Sequence, residues 1–85
     1  MPELDTKARD RLPDDAFAYI DAGGERHLPI HDEAHVRNAI ARWPRTRFES
    51  RSAKREAARR ILEAARRYGI EVDPGDEIVA GAKDR

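Results

Sequence analysis

His27, His31 and His35 recur at a spacing of four and are the only imidazoles of this chain. Imidazole nitrogen is a competent zinc or copper ligand, and Asp32 beside them could add an oxygen. The triple is therefore a candidate metal set. The competing reading is structural. His31 and His35 straddle a helix start, where Asp32 serves better as a cap and the rings bond nearby backbone groups. No metalloprotease HExxH pattern is present. Nucleophilic chemistry has little to work with: there is no Cys, and Ser50 and Ser52 stand in a helix-cap context with no His near them in sequence. Asp14-Asp15 and Asp21/Glu25 are paired carboxylates, but they fall in turns, where solvated acids are usual. Gly23-Gly24 lacks the lysine and the following Ser or Thr of a phosphate loop. No catalytic set and no cofactor are expected.

The second candidate surface is basic. Arg51, Arg55, Arg59 and Arg66 fall within about a quarter of a helical wheel at ~100° per residue, with Arg45 and Arg47 just before them. Arginine offers planar forked donors, so such a stripe could follow a phosphate backbone. The plain alternative is a solvated face steadied by Glu56–Arg60, Glu63–Arg67 and Arg59–Glu63 pairs at four-residue spacing. Phe48 and Tyr68 are the nearby aromatics, too few for a stacking platform. Arg37 and Asn38 lie off the apolar stripe of the preceding helix and are candidate contact residues for a partner.

These residues need elements to hold them. Phe17-Ala18-Tyr19-Ile20 is short, aromatic and β-branched, which predicts a strand. Asp21–Glu25 follows with two glycines, then Arg26–Ile30, so a β-hairpin is expected, with Pro29 ending the second strand or lying at an edge. Asp32 caps a first helix in which Val36, Ala39, Ile40 and Trp43 recur at helical spacing until Pro44 stops it. Ser50 or Ser52 caps a second helix running to about Tyr68, with Gly69 as its C-terminal stop. Ala53, Ala57, Ala58, Ile61, Leu62, Ala64, Ala65 and Tyr68 share its apolar face. Ile70–Val72 is expected as a short strand or a packed cap.

The fold class is thus α+β: a β-hairpin packed on two antiparallel helices, with a flexible segment over 1–12, a compact domain over 13–72 and a loose acidic tail over 73–85. At 85 residues the chain is one domain. Its 17 basic and 17 acidic groups cancel. The distribution is uneven, however: residues 1–33 hold 4 basic and 9 acidic groups, residues 45–68 hold 9 and 3, and residues 69–85 hold 2 and 5. A basic block between acidic ends can attract an anion or be neutralised within the molecule. No apolar run reaches the ~18 residues of a membrane span, and no charged-then-apolar leader is seen. The lack of Cys fits a reducing compartment, so a cytoplasmic location is expected.

The stretch RLPDDAFAYIDAGGERHLPIHDEAHVRNAIARWPRTRFES, followed by AARRILEAARRYGI, resembles a small bacterial family of unknown function. Its members carry an LPDSAFAY…LPIHDxAHVRNALAR pattern and close on a helix with a YGI- or FGI-like end. The likeness spans about residues 10–72. It departs at Asp15, where a small residue is expected, and after Val72, where acidic residues replace an apolar continuation. That family occurs as short actinobacterial proteins, beside signalling domains and appended to phage-type proteins. The resemblance implies an accessory module, and it carries over no catalytic residues. The expected function is a small non-catalytic interaction or adaptor module that docks a protein partner or a second copy of itself. The alternative is a nucleic-acid accessory protein using the arginine stripe, and the third reading is a histidine metal protein.

Overall fold

The structure, a computed structural model, describes residues 12–83. The N-terminal segment expected over 1–12 therefore lies outside the described residues, apart from Leu12. A short 3-10 turn, Asp14–Ala16, leads into strand β1, Phe17–Ile20. Strand β2, Arg26–Pro29, pairs with it antiparallel, with Phe17 opposite Pro29, Tyr19 opposite His27 and Ile20 opposite Arg26. Asp21 builds the hairpin loop. Its Oδ1 accepts from the Gly23 and Glu25 backbone N–H groups, both at 2.9 Å, while Gly24 takes φ +84°. Pro29 closes β2, as a residue without a donor N–H should.

Helix α1, Glu33–Arg42, is capped by the Asp32 carboxylate, which accepts from the His35 N–H at 2.8 Å. Val36 and Ala39 are its buried residues. Pro44 converts the continuation into a 3-10 turn, Trp43–Arg45, and the Thr46 hydroxyl donates to the Arg42 carbonyl freed there. Ser50, the first of the two expected candidates, caps helix α2, Arg51–Arg67, by accepting from the Ala53 N–H. At its far end Gly69 takes φ +70°, the Gly69 N–H donates to the Arg66 carbonyl and the Ile70 N–H to that of Ala65. That bond pair is a Schellman stop, and it buries Ile70 as a plug in place of a third strand.

Two expectations over the apolar faces are corrected. The first concerns Tyr68, placed by the helical wheel on the core face of α2. It is 39% exposed, because the helix ends there and its backbone turns away. Its hydroxyl donates instead to the His31 carbonyl at 2.7 Å. The second concerns the loose tail over 73–85. Residues Glu77–Lys83 form helix α3, packed along α2. Ile78 is fully buried in the shared core. Gly81 lies so close to Trp43 that a β-carbon there would overlap the indole ring. The physical reason is that the small face of α2 and the Trp43 ring leave an apolar surface, and Ile78, Val79 and Ala82 cover it. One core thus joins hairpin, α1, α2 and α3, with Trp43, Ile61 and Val36 inside it. The protein is a small α+β domain of one hairpin and three helices, and no described helix is long and apolar enough to cross a membrane.

Candidate functional site

The three imidazoles do not converge, so the set His27, His31, His35 is corrected to two separate groups. His27 lies on β2, where its ring stacks on Tyr19 at 5.4 Å and its Nε2 donates to Asp21 Oδ2 at 3.0 Å. The His27 bond leads in holding the Asp21 carboxyl below its usual range, with the Glu25 N–H next. That pair braces the hairpin loop. A second brace comes from Glu49, which accepts from the Tyr19 hydroxyl at 2.8 Å and from the Ala22 N–H at 2.6 Å. Burial, followed by the Glu49 hydrogen bond, raises the Tyr19 phenol above its ordinary range.

His31 and His35 do come together, at the start of α1, with ring centroids 4.3 Å apart and planes tilted by 34°. Asp32 stands between them. His35 Nδ1 lies 2.7 Å from its Oδ1, and His31 Nε2 lies 3.5 Å from its Oδ2. Burial pushes the Asp32 carboxyl up, but the His35 N–H, the His35 ring and the charge of His31 outweigh it, and the net shift is downward. His31 Nδ1 is buried with no hydrogen-bond partner among the described residues. The spacing of four brought two of the three rings together because Asp32 caps the helix between them. A strand position such as His27 obeys a different geometry.

The arginine stripe is divided by α3. Arg51 and Arg55 line a surface groove together with Lys54, and α3 supplies its other wall with Glu77, Ala80, Gly81 and Lys83. Trp43, Pro44 and Phe48 supply its apolar lining. The Lys54 ammonium sits 5.1 Å from the centre of the Trp43 ring, and the indole N–H donates to the Lys54 carbonyl. Arg59 instead turns its Nε to the Ala82 carbonyl at 3.0 Å, tying α2 to the end of α3. Arg66 is exposed near the opposite end of α2 and does not line the groove. Of the expected helix pairs, Glu63–Arg67 forms at 3.3 Å. Arg37 is exposed and paired with Glu33 at 2.9 Å, and Asn38 is exposed beside it.

Sequence reasoning missed Lys83, Trp43 and Phe48 as groove residues. The signal for Lys83 was available: Asp76 before Glu77, then Ile78-Val79, then Lys83 reads as acidic start, apolar turn and basic end. The roles of Trp43 and Phe48 had no local signal, since an aromatic at helical spacing reads as core.

The chain belongs to a family of unknown function (DUF6582), whose sequence model matches residues 4–75. No match was found among curated proteins or solved structures.

Proposed function

We propose that this member of the family is a non-catalytic cytoplasmic interaction module whose groove between the Trp43–Arg45 turn, α2 and α3 docks an acidic segment of a protein partner. One observation carries the reading: Arg51, Lys54, Arg55 and Lys83 line the groove together with apolar Trp43, Pro44 and Phe48, and Glu77 is the single acid among the described lining residues. Such a lining suits a partner segment that combines carboxylates with an apolar anchor. The anchor would be desolvated at the centre while the charges at the rim steer and orient it. The groove lies on packed elements, so little ordering is needed on binding. The nucleic-acid reading has less support, because Arg59 is committed to α3 and Arg66 lies away from the groove.

A photo-crosslinking residue at exposed Ala80, within the lining, tests this in the native cell. The expected result is crosslinking to an Asp/Glu-rich segment of a protein partner, lost in the R51E/R55E variant. Crosslinks to nucleic acid alone, or to protein segments with no acidic character, would refute the reading. Crosslinks to a second copy of the chain would mark self-association as the occupant instead.

A further inference from the structure

We propose that His31, Asp32 and His35 form a binding site for one divalent transition-metal ion of the zinc class. The three side chains offer one ligand atom each, and these atoms lie within 4.8 Å of one another. Two imidazole nitrogens and one carboxylate are the donors that zinc, copper and nickel take, whereas calcium and magnesium want oxygen alone. Ligand atoms of one tetrahedral zinc ion stand roughly 3.3 Å apart, given bonds of about 2.0–2.1 Å. His31 Nε2 lies 3.5 Å from Asp32 Oδ2, close to that figure, and His35 Nδ1 lies 2.7 Å from Oδ1 of the same carboxylate.

The carboxylate can serve both cap and metal. Asp32 Oδ1 accepts the His35 N–H that starts α1, and Oδ2, on the His31 side, accepts no backbone N–H among the described residues and can ligate. The ion would take the lone pair of His35 Nδ1, so the ring proton moves to Nε2 and the present bond from Nδ1 to Oδ1 is given up. The backbone at His31 is held from α2 by the Tyr68 hydroxyl, so the first ligand is positioned by the tertiary fold. The rings are part-exposed, at 19% for His31 and 32% for His35, which leaves an entry path and a position for water or a fourth ligand.

Asp21, Glu25 and His27 also cluster, but they make a poorer site. That group has one imidazole, and Asp21 Oδ1 already accepts two backbone N–H groups while Oδ2 accepts from His27. The helix dipole at the start of α1 opposes a cation, and the Asp32 charge offsets it. This site shares no residue with the groove, so it stands or falls separately from the proposed docking function.

The test uses the full chain, stripped of metal and titrated with zinc chloride against a chromophoric chelator, with thermal unfolding followed in parallel. One zinc per chain and a raised Tm are expected, with affinity weakened by at least about tenfold in H31Q and in H35Q. H27Q should bind as the parent does. D32N keeps an Asn cap, so it should fold and still bind more weakly. Cobalt(II) added in place of zinc should show visible absorption that H31Q and H35Q abolish. A chain that takes up no zinc, or binding that survives both H31Q and H35Q, would overturn the proposal.

Discussion

Asp21 and Asp32 each do two jobs with one carboxylate, and each does so beside a histidine. Asp21 folds the hairpin loop and holds His27; Asp32 caps α1 and holds His35. Both titrate below their ordinary value of 3.8 in the folded chain. Lowered acids bind protons more weakly folded than unfolded, so their contribution is present above the unfolded value and is lost as pH falls through the folded one. Urea titrations from roughly pH 5 to pH 3 should therefore show falling stability, with a shallower slope in D21N/D32N. A parallel slope in the variant would assign the acid sensitivity elsewhere. Gly81 tests a single contact. An alanine inside a helix is ordinarily favoured over glycine by about 0.5–1 kcal/mol. Here its β-carbon meets the Trp43 ring, so G81A should instead lose about 1–3 kcal/mol and alter Trp43 fluorescence. A stabilised G81A would mean that α3 stands off from the indole.

The third helix is the part whose existence most changes the surface. Seven residues are too few for a helix to persist alone, so α3 depends on what it covers. Ile78 supplies the anchor, fully buried between α3 and the rest of the core. I78A should cost about 2–5 kcal/mol, measured by urea unfolding, as for other large-to-small core changes. A loss within about 0.5 kcal/mol, the range of ordinary surface substitutions, would show that residues 77–83 are not docked. The caps of the longer helices have a smaller, separable effect. S50A removes the acceptor for the Ala53 N–H and should cost about 1 kcal/mol. The hairpin holds a strained point as well: Leu28 is buried in β2 at φ +58°, a left-handed conformation that a leucine adopts only when its surroundings impose it.

Trp43 joins the parts into one unit. It ends α1, donates to the Lys54 carbonyl on α2, lies against Gly81 of α3 and neighbours Phe48 at 6.3 Å. Since all these elements share its environment, its fluorescence and the far-UV circular dichroism should report the same urea midpoint. Separated midpoints would mean that α3 or the hairpin unfolds on its own. Much of this organisation was legible in the residues. The extent of β1, the caps at Asp32 and Ser50, and the stops at Pro44 and Gly69 follow from rules that act over four or five residues, because backbone groups and side-chain caps meet within a turn. The pairing of His31 with His35 across a helix start is equally local. What residue order could not convey depends on contacts between segments far apart in the chain. His27 separates from the other imidazoles because the hairpin folds it onto Asp21. Tyr68 leaves the core to hold His31, and Leu28 turns left-handed under packing. Residues 77–83 become helical because Trp43 and the alanine face of α2 offer them an apolar bed. Local propensity specified where the elements begin and end. Burial of surface between them, which no short window of sequence contains, chose which side chains meet.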